Sequence, residues 1–145
     1  MNAQEALEEI LLKEADVEGE CENLIRLHSL AEKVTTAMKG EVVSCSRNGD
    51  PLSNFLVSKE RLLCEINRLQ NEYDQYRVFM SGFVKRLRKP VYKKVLYGIY
   101  FNGKELKDVA DEIGYSYRHT QDLRDVAIQE LQKIMDETEK THTIS

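Results

Sequence analysis

From Leu62 to Leu87 apolar residues return every three or four positions without a break: Leu62, Ile66, Leu69, Tyr73, Tyr76, Met80, Phe83 and Leu87. That spacing puts all eight on one side of an α-helix, and over more than three heptads it is the pattern of a coiled-coil seam. It predicts a helix over 52 to 88, with Lys59 at one seam position upstream. A second helix is predicted over 3 to 39, where Leu24, Leu27, Ala31, Val34 and Met38 repeat in the same way, Ile10 and Val17 continue the seven-residue step upstream, and Gly19 weakens the middle. Between them "GEVVSCSRNGDP", 40 to 51, has the Gly, Ser, Asn-Gly and Asp-Pro content of a loop, with Asp50 or Ser53 able to cap the next helix and Pro51 at its first position.

Each helix would be about 54 Å long at 1.5 Å per residue, with one apolar stripe that cannot stay wet. The loop lets the two fold back as an antiparallel hairpin, and a second copy of the chain could bury the same stripes. An arm this narrow holds little core of its own, so residues 1–88 are expected to form a helical hairpin or coiled coil that assembles as a homo-oligomer, a dimer being favoured.

Pro90 changes the regime. It biases Lys89 away from helical dihedrals, so the long helix ends or bends there and a short one begins, with Val91, Val95, Leu96, Ile99 and Tyr100 on one face. "FNGK" at 101 to 104 reads as a turn, and Leu106, Val109, Ala110 and Ile113 make the inner face of a helix ending at Gly114. A third helix follows Ser116 and carries Thr120, Leu123, Val126, Ala127, Ile128, Leu131 and Ile134. The expected fold is therefore all-α: the arm, then a small helix-turn-helix domain at 89–135, then a flexible tail at 136–145 without apolar periodicity.

The formal charge of -4 hides two unlike parts. Residues 1 to 80 hold 15 acids against 9 bases, a balance of -6, whereas 81 to 124 hold 10 bases against 5 acids, a balance of +5. The local field, not the whole-chain average, is what an approaching phosphate meets. No apolar run is long enough to cross a bilayer, and the start "MNAQEALEEILLKE" is acidic where a secretory signal is basic, so a cytoplasmic chain is expected, nucleoid-associated or in an infected host's cytoplasm. Cys21, Cys45 and Cys64 have neither metal-ligand spacing nor His partners, and no cofactor or metal is expected. His28, His119 and His142 belong to no catalytic constellation and there is no Gly-rich phosphate loop, so an enzyme is not expected.

A helix-turn-helix needs a small residue in its first helix and a residue free to turn tightly, which Ala110 and Gly114 supply. Ser116 then caps the reading helix. Its outward residues Arg118 and Gln121 suit the base edges of guanine and adenine, with Tyr117 and Asp122 beside them. Ser116, His119, Arg124, Lys93, Lys94, Lys104 and Lys107 are placed for the phosphate backbone. Asp122 and Asp125 oppose this unless they pair with a base amino group or with Arg118.

The stretch "LKDVADEIGYSYRHTQDLRDVAIQELQKIM", 106 to 135, resembles the promoter-reading helix-turn-helix of bacterial sigma factors through Leu106, Val109, Ala110, Ile113, Gly114, Ser116, Leu123, Ala127, Ile128 and Leu131. With "MNAQE", the helical arm and "PVYKKVLYGIYFNGKELKDVADEIGYSYRH", the whole layout resembles uncharacterised proteins of phages and prophages of Gram-positive bacteria. The resemblance implies sequence-specific binding of double-stranded DNA in phage transcription regulation, with Arg118, Gln121 and Asp122 at the positions that reach bases and Tyr117 and His119 flanking them. Sigma factors carry more Arg along this helix, and no other sigma domain is present in this sequence. Two alternatives stay open: a factor that binds a host or phage protein, and a terminase-like DNA packaging subunit.

Overall fold

A computed structural model describes residues 2–38 and 51–144. Their regular elements are all helices, with no strand among them: α1 Ala3–Met38, α2 Pro51–Val84, α3 Pro90–Leu96, a π-helical segment Tyr97–Phe101, α4 Leu106–Ile113 and α5 Tyr117–Ile144. Residues 40–50 of the loop expected over 40–51, with Cys45 and the capping Asp50, lie outside the described residues, as do the side chains of Val34, Met38 and His142. No helix among the described residues is long and apolar enough to cross a membrane.

Two compact units emerge: Met1–Lys13 with Tyr73–Ser145, and Glu14–Glu72. The division falls elsewhere than at the Pro90 break, because both long helices contribute one end to the first unit. There Ala3, Ala6, Leu7 and Ile10 of α1 are buried. The Ala3 N–H donates to Gln132 Oε1 of α5 at 2.6 Å, and the Tyr76 hydroxyl donates to the Ala6 carbonyl at 2.7 Å. Tyr73, Met80 and Leu87 of the expected seam are buried with Val84, while Tyr76 and Phe83 are half-buried.

Four residues short of the expected end, α2 stops at Val84. Arg86 and Leu87 N–H groups turn back onto the Phe83 and Val84 carbonyls, both at 3.1 Å, in the tighter three-residue pattern. Lys89 is extended (φ -90°, ψ 126°), as a residue before proline prefers, and Pro90 opens α3. Val95, Leu96, Tyr100 and Phe101 then meet Val109 and Ala110 of α4 and Ala127, Leu131 and Met135 of α5 as one core. The π turn brings Gly98 against Val109: a β-carbon on Gly98 would lie 2.8 Å from Val109 Cγ2. Helix α5 continues to Ile144, so the segment expected to be a flexible tail is helical as far as that residue. The extension has a packing reason in the buried Met135 and in the half-buried Thr138, whose hydroxyl accepts from Arg86 Nη1 at 2.7 Å.

In the second unit the only buried apolar residue among those described is Val17, at 9% exposure. Leu24, Leu27, Leu62, Ile66 and Leu69 are half-buried. The His28 ring meets Phe55 edge-on at 5.5 Å.

Candidate nucleic-acid interface

Gly114 ends α4 in the left-handed conformation (φ 77°), and the Tyr115 N–H closes back onto the Ala110 carbonyl at 3.1 Å. This six-to-one closure is a glycine-terminated helix end, and the Ala110 carbonyl accepts the Gly114 N–H as well, at 3.0 Å. Two residues later Ser116 Oγ accepts the His119 N–H at 3.1 Å, capping α5. Thr120, fully buried, holds the same corner by donating its hydroxyl to the Ser116 carbonyl at 2.8 Å. Ala110 is buried where α4 meets α5. The sequence Gly114 to Thr120 thus sets two short-linked helices with the start of α5 turned outward.

At that start Tyr117, Arg118, His119 and Asp122 are exposed, while Gln121 and Arg124 are half-buried. Arg118 has no ion-pair partner among the described residues, so the Arg118–Asp122 pairing that would quiet the acid is not formed. Arg124 instead lies 3.5 Å from Asp125. The His119 ring packs edge-on to Tyr115 at 4.8 Å, which orients it. Ser116 is committed as a cap through its acceptor, its hydroxyl proton remaining free to turn outward.

The basic residues divide between two places. Lys93, Lys94 and Lys104 line one groove with Tyr97, Asn102 and Glu112, between α3 and α4. Lys104 Nζ is 2.7 Å from Glu112 Oε1, so part of its charge is spent locally. Lys107 is exposed on α4 outside that groove. A second groove, lined by Arg86, Arg88, Lys89, Tyr92 and Lys133 with Glu130 and Glu137, gathers cations that the sequence shows as charge but does not place together. Lys133 is 15 residues beyond Arg118 on α5, about 22 Å along the axis, so this groove is far from the residues placed for base reading.

Tyr100 is buried in the core. Burial pushes its hydroxyl above the ordinary tyrosine value; Arg124 opposes this, and Glu8 and Asp125 reinforce it. Cys21 and Cys64 are free thiols, and no group of three or more metal-ligating side chains occurs among the described residues. Comparison of the chain with protein families, with curated proteins and with solved structures finds no match.

Proposed function

We propose that this chain binds double-stranded DNA sequence-selectively through a helix-turn-helix formed by α4 and α5, with residues 116 to 129 as the reading helix, and that it serves phage transcription regulation as a dimer joined through its arm. The observation that carries the reading is the corner itself: a left-handed Gly114, a Ser116 cap, and an exposed Arg118 one turn before Gln121 on an outward helix start. Arg118 and Gln121 are the base-edge readers, flanked by Tyr117 and Asp122, because a guanidinium and a carboxamide can each make two hydrogen bonds to a purine edge. Lys93, Lys94, Lys104 and Lys107 supply sequence-independent attraction to phosphates, with Ser116, His119 and Arg124 at the groove margin. The resemblance of 106 to 135 to the sigma promoter-reading domain supports the same assignment, and the arm reads best as an antiparallel hairpin.

A protein-binding role is the second reading, favoured by Asp122 and Asp125 on the reading helix and by the pairing of Lys104 with Glu112. A packaging subunit would share the DNA contact and differ in assembly. Selection from a random duplex library with the full chain separates these. Enrichment of one sequence is the expected result; no enrichment, with duplex affinity at low salt no greater than that of a size-matched acidic control, would overturn the DNA reading in favour of protein binding.

A further inference from the structure

The arm presents a stripe on α2 that flanks the expected seam: Leu56, Glu60, Leu63 and Asn67, with the half-buried Lys59, itself at a seam position, on its edge. Leu56 is 50% and Leu63 39% exposed, and Glu60 and Asn67 are open to solvent. Leu56 and Leu63 are seven residues apart, so they share nearly one direction from the helix axis, with Lys59 and Glu60 midway between them. Leu62, Ile66 and Leu69 are half-buried within the chain, so this outer stripe is the part of α2 more open to a further helix.

We propose that a second copy of the chain covers this stripe, the two α2 helices running antiparallel about a two-fold axis between positions 59 and 60. A two-fold interface must be self-complementary, since each contact occurs twice with the roles exchanged. The axis meets that condition: Leu56 packs on the partner's Leu63, Leu63 on the partner's Leu56, and Lys59 faces the partner's Glu60 in both directions. A parallel pairing sets Lys59 against Lys59 and Glu60 against Glu60, and like charges at that distance disfavour it. Within the chain neither Lys59 nor Glu60 has an ion-pair partner among the described residues. A two-helix arm with one buried apolar residue among those described also lacks the core that a further helix pair supplies. The inference rests on the self-association part of the proposed function and is independent of DNA binding.

Sedimentation equilibrium of the full chain tests it, with wild type, L56E/L63E, K59E and the swapped K59E/E60K. Wild type is expected to dimerise, L56E/L63E to be monomeric at the same concentration, and K59E to weaken association by about tenfold, with the swap restoring it to within about threefold, as a direct charge pair requires. Both leucines are half exposed, so L56E/L63E should keep wild-type helicity by circular dichroism; if it does not, K59E and its swap decide. In chains with the three native cysteines changed to Ser, K59C should form an interchain disulfide and N67C should not, its antiparallel offset of 15 residues being about 22 Å. Efficient cross-linking of N67C, or a dimer indifferent to all three charge variants, would overturn this surface while leaving self-association standing. A monomeric wild type would overturn both, and neither result touches the DNA selection.

Discussion

The two units are built from the same kind of sequence and reach different ends. In Met1–Lys13 with Tyr73–Ser145, Leu7, Ile10, Met80, Leu96, Leu131 and Met135 are at or below 2% exposure; in Glu14–Glu72, whose stripes are as regular, Val17 at 9% is the most buried apolar residue described. The difference is the number of surfaces that converge. α3, α4 and α5 pack on one another and on the ends of both long helices, so an apolar side chain there is enclosed from several directions. In the arm a stripe meets at most one other helix, and most of its side chains stay partly in water. A three-four spacing specifies which face wants burial; the count of neighbouring elements decides how much burial it obtains.

The largest expected effect breaks or sustains this contrast directly. Leu7→Ala removes a fully buried side chain from the first unit and should cost about 2–5 kcal/mol, lowering amide protection across 95 to 135 although the substitution is some ninety residues away in sequence. Leu69→Ala, half-buried in the arm, should cost roughly half as much or less and leave 95 to 135 unchanged. Segment-resolved hydrogen exchange reads both. Unaltered protection of 95 to 135 in the L7A protein would show that the N-terminal turns do not belong to that core.

Next come two glycines whose substitutions should have opposite signs. A β-carbon on either Gly114 or Gly19 meets nothing within 4 Å, so only backbone conformation distinguishes them. Gly114 has φ 77°, and G114A should lose about 1–2 kcal/mol, whereas Gly19 lies within α1 and G19A should gain about 0.5–1 kcal/mol. Chemical denaturation of the two variants settles it; a stabilised G114A protein would contradict the left-handed turn.

A smaller effect depends on pH. All seven tyrosines lie in the first unit, and burial raises the Tyr100 hydroxyl above 10.0. An acid whose folded-state pKa is raised keeps its proton in the folded chain while the unfolded chain ionises. Its contribution is therefore complete below 10.0 and is lost as pH climbs from there towards the folded value. Y100F should flatten the alkaline fall in stability of this unit; identical pH profiles for the two proteins would remove Tyr100 as its source.

Much of this architecture is legible in the residues. Pro51, Pro90, Gly114 and Ser116 mark helix boundaries by local chemistry, and the structure places elements at each of them. Less legible is what each stripe packs against. Nothing in "MNAQEALEEILLKE" says that Ala3, Leu7 and Ile10 will join a core with α5, because that contact spans 129 residues and depends on tertiary arrangement. The π turn at Tyr97–Phe101 is hidden for a similar reason: Gly98 is apt there only because Val109 crosses over it. At the candidate interface the residue types suggest Arg118 and Gln121, but only the structure shows Gln121 half-buried, Lys104 held by Glu112, and Lys133 gathered with Arg86, Arg88 and Lys89 in a separate groove.

The most direct test of the central claim is titration of a selected duplex at several salt concentrations with R118A, Q121A, K93A and K94A. If α5 reads bases, R118A and Q121A should each lose about 1–3 kcal/mol on the preferred site and relax preference at one position, with binding to unrelated duplexes little changed. K93A and K94A should weaken all duplexes alike and reduce the magnitude of the salt slope by about 0.9 for each phosphate no longer neutralised. If all four variants weaken every duplex equally, or R118A and Q121A bind the selected site as wild type does, the start of α5 does not read sequence, and the proposed function is contradicted.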